Sequence, residues 1–148
     1  MDHTAEVLKV NSNFYKAFEE RNLQALSDTW AHVQEVWCTH PGWPALHGWH
    51  RVEESFRNIL NGAGPPQFVL SEIRVETSAN TAWVTLEENF LGPNLSTVTT
   101  VNVFKKTDGR WLMYGHHASP VVAIFSYCLL YTSPSPRDLS TSRMPSSA

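Results

Sequence analysis

The sequence predicts an α+β fold in which three N-terminal helices pack on a curved antiparallel sheet. Apolar residues recur every three or four positions in the first part of the chain, and every second position after Pro66. Because helices come first and long strands come last, the two kinds of element are expected to form separate layers. A sheet that curls over helices leaves a conical hollow at its open end.

Two helices are predicted ahead of the first strand. The first begins at Thr4, a residue that can cap a helix, and its apolar face carries Val7, Val10, Phe14, Ala17 and Phe18. Asn22 can cap a short second helix, one side of which holds Leu23, Leu26 and Trp30. These helices are joined by almost no linker, so they form a hairpin.

A third helix follows Gly48 and turns four apolar side chains inward, those of Val52, Phe56, Ile59 and Leu60. The residues at 61–66, which are rich in glycine and proline, end this helix.

Four long strands are predicted after that point: about 68–76 with a bulge near Ser71, about 81–90, 97–106 and 110–119. Turns at 78–80, 92–94 and 107–109 join them, and a shorter strand is expected at 33–38. Strict alternation in the last strand places Trp111, Met113, Gly115 and His117 on one face and Leu112, Tyr114 and His116 on the other.

The segment 37–49 is a loop of restricted shape that carries large rings. It contains Trp37, Trp43 and Trp49 together with two prolines, two glycines, two histidines and one cysteine. Proline fixes φ and removes a backbone donor, whereas glycine can adopt positive φ. A loop with this composition is typical of the wall of a concave binding site, but the same rings could simply close one end of the core.

The net charge and the cysteine content indicate which partners and which cellular compartment suit this protein. The net charge of -3 argues against nucleic acid or an anionic membrane as the main partner. The two cysteines are too few for a disulfide framework and fit a reducing compartment. No apolar leader or membrane-spanning run is visible, so we expect a cytoplasmic protein. The chain of 148 residues is 42% hydrophobic, which suits one globular domain with a sizeable core.

The sequence predicts neither a metal nor a cofactor. His40, His47, His116 and His117 lack the close spacing of zinc ligands, and Cys38 is read as a small core residue. No phosphate-binding loop or dinucleotide fingerprint is present. The adjacent glutamates at 87–88 lie on a predicted strand, so their side chains point to opposite faces of the sheet. Such a pair usually marks the solvent-exposed end of a strand. The alternative is that one of the two carboxylates reaches the interior.

We assign residues 1–122 to the folded domain and expect residues 123–148 to be a disordered tail, which is interpreted as an artefact, the alternative being a genuine disordered tail. The tail is rich in serine, threonine and proline, which cannot bury enough surface to fold alone. From about residue 129 it also resembles a translated sequencing adaptor or vector read-through.

Three blocks together resemble the SnoaL-like branch of the NTF2-like superfamily, whose conical α+β fold is shared with ketosteroid isomerase. They are the hairpin at 14–23, the His-Pro-Gly-Trp-Pro block within 38–49 and the final hairpin from 100 to 120. The resemblance covers about residues 4–122. It implies the fold more strongly than the activity, because this fold hosts isomerases, cyclases, dehydratases, hydrolases and binding modules.

The resemblance also implies where a site would lie. Ketosteroid isomerases use a carboxylate base and two hydrogen-bond donors, a tyrosine and a protonated aspartate. By motif register the base falls on His40, the aspartate near Asn102 and the tyrosine on Phe14, with Tyr15 one step away and expected to point elsewhere. None of the three isomerase residues is kept on this reading, although an imidazole can serve as a base.

These observations lead to two hypotheses. In the first, the domain binds a small apolar or ring-containing molecule, with or without isomerase- or cyclase-like proton transfer by His40. The remaining predicted ligand contacts are Trp30, Trp37, Trp43, Trp83, Asn102 and His117. In the second, the domain is a non-catalytic interaction module that forms a homodimer through the sheet face carrying Thr97, Thr99, Val101 and Val103.

Overall fold

A computed structural model describes residues 2–62, 67–92 and 96–122. The predicted tail at 123–148 lies outside the described residues. So do residues 63–66 of the predicted helix end and residues 93–94 of the predicted turn. The predicted α+β architecture is confirmed, with three helices and a six-stranded sheet in the described part of the chain.

The helices are α1 (Thr4–Glu19), α2 (Leu23–Ser27) and α3 (Trp49–Leu60). The predicted cap of α1 is wrong by one residue, because His3 is the N-cap and the Thr4 amide donates to the Asp2 carboxylate at 2.9 Å. The predicted cap of α2 is confirmed, since the Asn22 side chain accepts from the Ala25 amide at 3.0 Å. Within the described residues, no helix is long and apolar enough to cross a membrane.

The strands are β1 (Trp37–Thr39), β2 (Leu46–His47), β3 (Phe68–Ser78), β4 (Thr81–Phe90), β5 (Ser96–Thr107) and β6 (Arg110–Pro120). They form one sheet in the order β2-β1-β6-β5-β4-β3. The neighbours are antiparallel except β1 and β6, which are parallel. The strand predicted at 33–38 begins later, at Trp37, and the bulge predicted near Ser71 is confirmed between Ser71 and Arg74.

The core lies between the helices and the inner face of the sheet, and the ring of Phe14 is at its centre. This ring packs edge-on or tilted against Phe18, Trp30, Phe56 and His116, with centroid distances of 5.4 to 6.4 Å. Aromatic pairs at such distances add to the stability gained by burying their area. The inward faces of α1, α3 and the sheet are therefore held together by rings.

A bulge in β6 reverses part of the predicted alternation. Phe104 pairs with Met113 but Val103 pairs with Gly115, so Tyr114 is the extra residue. An extra residue in one strand shifts every later side chain to the opposite face. His116 is therefore buried and His117 is exposed, which is the reverse of the prediction that His117 shares a face with Trp111 and Met113.

The outer face of the sheet depends on a close approach between Trp37 and Gly115. These two residues are neighbours across β1 and β6. A Cβ atom built on Gly115 would lie 2.3 Å from Cζ2 of the Trp37 ring, well inside van der Waals contact. The indole therefore lies against a bare backbone, which only glycine can provide.

We predict that Gly115→Ala destabilises the domain by about 1–3 kcal/mol, because an overpacked contact outweighs the backbone entropy that alanine saves. Urea unfolding of the single variants and of Gly115→Ala with Trp37→Leu measures this. The double variant should be more stable than the two single losses added together. Purely additive losses would mean that the indole does not restrict position 115.

Candidate functional site

Between the helices and the sheet lies a cluster of buried polar side chains in two adjacent hydrogen-bonded groups, here called the polar network. Its members come from α1, the loop after β1, α3, β4, β5 and β6, and they are Asn11, Tyr15, His40, Ser55, Glu88, Asn102 and His116. Each is at most 6% exposed. Buried polar groups reduce stability unless they are hydrogen-bonded, so the partners of each group decide what the network can do.

Asn102 on β5 is the centre of the network and has no solvent exposure. Its Nδ2 donates to Asn11 Oδ1 at 2.9 Å and to the Tyr15 hydroxyl at 3.1 Å. Its Oδ1 lies 2.6 Å from Nδ1 of His116, the residue that pairs with it on β6. Because Oδ1 can only accept, the His116 ring is protonated at Nδ1 and its Nε2 carries the lone pair.

Tyr15 links Asn102 to a buried carboxylate. Its hydroxyl donates to Glu88 Oε2 at 2.6 Å, a short distance typical of a bond to an ionised acceptor. Burial raises the pKa of Glu88, and the hydrogen bond from Tyr15 opposes that rise. Burial, the nearby Glu88 charge and the bond to Glu88 raise the pKa of Tyr15, which therefore stays protonated.

The Thr100 hydroxyl is close enough to Glu88 to lower its pKa, although it satisfies the geometry of a hydrogen bond with no described residue.

His40 follows β1 and points inward. Its Nε2 lies 2.8 Å from Ser55 Oγ, which itself donates to the Val52 carbonyl at 2.7 Å. Since the Ser55 proton is committed to Val52, the His40 Nε2–H is the donor and Nδ1 keeps its lone pair. Burial lowers the pKa of His40 to about 4, so the ring is neutral at neutral pH.

Trp43 covers His40 from the solvent side. Its ring meets the imidazole edge-on with a centroid distance of 4.9 Å and is itself 42% exposed. Gly42 and Gly48 adopt φ of 83° and 89°, as predicted for this loop. The loop thus places one ring against the His40 imidazole and leaves that ring in contact with water.

His116 lies between the two halves of the network. Its ring centroid is 6.4 Å from that of His40, and burial together with the charges of His40 and His117 lowers its pKa to about 3. Cys38 lies beside His40, with Sγ 3.6 Å from Nε2, and burial raises the pKa of its thiol. Within the described residues no group of three His, Cys, Asp or Glu side chains could hold a metal ion.

The structure brings together only part of the predicted site. His40 and Asn102 belong to the polar network, and Trp43 borders it. Trp30 is a fully packed core residue whose Nε1 has no hydrogen-bond partner in the described chain. Its ring contacts Phe14 and Phe56 and does not belong to the network.

Trp37, Trp83 and His117 lie on the opposite face of the sheet from Asn102. Trp37 pairs with Gly115, Gly115 with Val103 and Val103 with Trp83, and these pairs form one row across the outer face. His117 lies on that face because of the bulge at Tyr114. These three predicted ligand contacts therefore do not lie on the inner face of the sheet with Asn102.

Sequence reasoning missed Tyr15 and left Glu88 as an open choice, although signals for both were present. Asn11 and Tyr15 are spaced i, i+4 on α1, so they form a polar stripe beside the buried Val7 and Phe14. Tyr15, and not Phe14, is the ring that bears a hydroxyl toward Asn102, so the expectation that Tyr15 points elsewhere was wrong. Glu88 continues the inward alternation of β4, and its carboxylate reaches the interior.

A groove between α1 and β3 reaches the network from outside. Its volume is about 490 Å³, and α1 contributes Asn11 and Tyr15 to its lining while β3 contributes Leu70 and Ile73. The remaining lining residues are Leu8, Ser12, Lys16 and Glu19.

An α+β sheet curled over helices, with polar groups at its centre, defines the NTF2-like class of protein, and solved structures of that class match this chain. Within it, the chain belongs to the SnoaL-like domain family, whose model matches residues 7–123. The resemblance proposed from the sequence is thereby confirmed.

Individual relatives differ in what they are said to do. An NTF2-like protein from Streptomyces avermitilis, labelled a dehydratase, is 36% identical with a TM-score of 0.74, over 80% of this chain and 96% of that one. A protein from Thiobacillus denitrificans labelled a calcium/calmodulin-dependent protein kinase II association domain is 27% identical with a TM-score of 0.70, over 76% of this chain and 92% of that one.

The F-box protein SKIP8 of Arabidopsis thaliana is a further relative, 28% identical over 116 residues. The match takes in 78% of this chain but only 50% of SKIP8, so the chain spans about half the length of that relative.

The two neutral, buried histidines predict a loss of stability in acid. In the unfolded chain both titrate near their ordinary pKa of 6.5, whereas in the folded chain the pKa values are about 4 for His40 and about 3 for His116. As pH falls below 6.5, the unfolded state binds protons that the folded state excludes. Each histidine should then lower the free energy of unfolding by about 1 kcal/mol per pH unit.

Urea unfolding between pH 6.5 and pH 4.5 measures this slope. His116→Asn, whose amide can still donate to Asn102, should remove the contribution of one histidine from the slope, which is about 1 kcal/mol per pH unit. His117→Asn is the matched control on the exposed neighbour and should leave it unchanged. Glu88 works in the opposite direction, because its raised pKa makes the folded state bind a proton more readily. Equal slopes in wild type and His116→Asn would contradict a neutral His116.

Proposed function

We propose that this domain binds a small apolar or ring-containing molecule with a carbonyl group beside its polar network and moves a proton next to that carbonyl. The polar network is the observation that carries the proposal. A core that only had to pack would be more stable with apolar side chains at these positions. Titratable groups whose pKa values are shifted by burial and that lie together in one place are typical of active sites.

His40 is the proposed base. Its Nε2 is held by Ser55, so Nδ1 is the atom that would accept the proton, and a pKa of about 4 keeps that lone pair available at neutral pH. A base this weak needs strong stabilisation of the developing oxyanion. Both amide hydrogens of Asn102 and the hydroxyl hydrogen of Tyr15 are donated within the network, so one of these bonds would exchange its partner for the oxyanion.

The proton that His40 takes from carbon can return to a neighbouring carbon, which is an isomerisation. It can also accompany the loss of a β-hydroxyl as water, which is a dehydration. The relative labelled a dehydratase supports a reaction of this kind for the present chain. A structure from Parabacteroides distasonis labelled a ketosteroid isomerase is only 16% identical, and it supports the fold alone.

The test follows exchange of the protons beside the carbonyl of 1-tetralone with heavy water, by NMR, at millimolar ketone. We expect the wild-type protein to accelerate exchange and His40→Gln to lose about 10²-fold of that acceleration, because glutamine can donate to Ser55 but cannot take a proton. The rate should be flat from pH 6 to 8 and fall below pH 5, as His40 becomes protonated.

His117→Gln is the matched control and should exchange the ketone as fast as wild type. Exchange that is lost equally in both variants, or that wild type does not accelerate, would refute a role for His40 as base.

A second function, that of a dimeric interaction module, is favoured by the outer face of the sheet. The row from Trp37 through Val103 to Trp83 is apolar, and Trp83 is 39% exposed. Exposed apolar patches of this kind often mark protein interfaces. The relatives labelled an association domain and an F-box protein support this alternative.

Sedimentation velocity tests the dimer. Wild type is expected to sediment as a dimer, and Trp83→Arg should weaken the dimer at least about tenfold, since a charge would be buried unpaired. Trp43→Arg changes a tryptophan of similar exposure on the loop side and should leave association unchanged. A wild-type monomer at all concentrations would exclude the homodimer.

A further inference from the structure

We infer that the groove between α1 and β3 is where the ligand binds, and that the carbonyl oxygen of the ligand accepts a hydrogen bond from the Asn11 side chain. The inference rests on the ligand-binding part of the proposed function. It does not involve proton transfer by His40, which does not line the groove. It adds the entrance, the contact that recognises the carbonyl and the preference for an uncharged molecule.

The groove has the size and chemistry of a small-molecule site. Its volume of about 490 Å³ suits a ligand of two or three fused rings. Leu8 on α1 faces Leu70 and Ile73 on β3 across it, so an apolar body would be enclosed by apolar walls. Ile73 is 46% exposed, which leaves its surface for a ligand to cover.

Asn11 supplies a donor that the protein itself does not use. The residue lines the groove but is only 2% exposed. Its Oδ1 accepts from Asn102, which orients the amide and leaves Nδ2 as the free end. Among the described residues, Nδ2 of Asn11 donates no hydrogen bond. Unlike Trp30 Nε1 and Thr100 Oγ1, this nitrogen is not among the fully buried atoms that lack a partner, so it keeps contact with solvent. An amide that is held by its own oxygen and open on its nitrogen side is a preorganised donor for a carbonyl oxygen.

The same side chain connects the groove to the rest of the polar network. Asn11 and Tyr15 both bond to Nδ2 of Asn102, and Tyr15 also lines the groove. A carbonyl at Asn11 would therefore lie one hydrogen bond from the group that contacts His116.

Charges at the rim favour a neutral ligand. Lys16 and Glu19 both line the groove, and their opposite charges cancel at a distance. Neither an anion nor a cation would gain steering from such a rim, so recognition depends on the apolar walls and the single donor.

The experiment uses the ¹⁵N-labelled full chain, titrated at millimolar concentration with 1-tetralone and, separately, with tetralin, which has the same rings without the carbonyl. The ketone is expected to shift the side-chain amide signals of Asn11 and Asn102, whereas tetralin should leave the Asn11 amide in place. Ile73→Trp fills the groove and should weaken ketone binding at least about tenfold. Arg74→Trp, the adjacent exposed position outside the groove lining, should bind within about twofold of wild type.

Binding of the ketone with unmoved Asn11 signals and full affinity in Ile73→Trp would overturn the groove while leaving the proposed function intact. Failure of the ketone to bind wild type at all would remove both. Equal losses in Ile73→Trp and Arg74→Trp would mean that a bulky residue on β3 disturbs the fold. The groove assignment would then be rejected unless Asn11→Asp, which keeps an oxygen to accept from Asn102 but removes the amide donor, also weakens binding.

Discussion

The hydrogen bonds of the Asn102 side chain hold the helical layer to the centre of the sheet. Both amide hydrogens of this residue go to α1, and its oxygen goes to the neighbouring strand. In a dry interior each of these bonds is stronger than it would be in water, but a missing partner would be correspondingly more harmful. These bonds fix the position of α1 relative to β5, and with it the positions of the side chains that lie between the two elements.

One consequence is a separation of roles between the two faces of the sheet. The inner face carries groups that donate, accept and change charge, all of them defined by partners on other elements. The outer face carries the apolar row from Trp37 through Val103 to Trp83, of which Trp83 is 39% exposed. The relatives are likewise varied, being labelled a dehydratase, an association domain and an F-box protein.

The sequence was sufficient to predict the layers, the order of elements and most of their limits, because periodicity and turn residues are local signals. It also selected His40 and Asn102, which the structure places among the buried polar side chains. The errors had specific causes. The bulge at Tyr114 is decided by pairing with β5, so no pattern inside β6 could reveal that His116 and not His117 turns inward. Trp37 and Trp83 were predicted as ligand contacts because they are large rings, but the face of the sheet that each occupies depends on strand register.

Phe14, and not Tyr15, was matched to the tyrosine of ketosteroid isomerase, although both of these adjacent helical positions face the sheet.

The extra residue in β6 has an implication for how such domains diversify. The strand has two imidazoles in succession, and one backbone irregularity determines which of them is enclosed. Loss of a single codon at this point would rotate the remainder of the strand and exchange an enclosed imidazole for a solvated one. Insertions and deletions in a strand, and not only substitutions at the site, are thus a short evolutionary route to new chemistry on this scaffold.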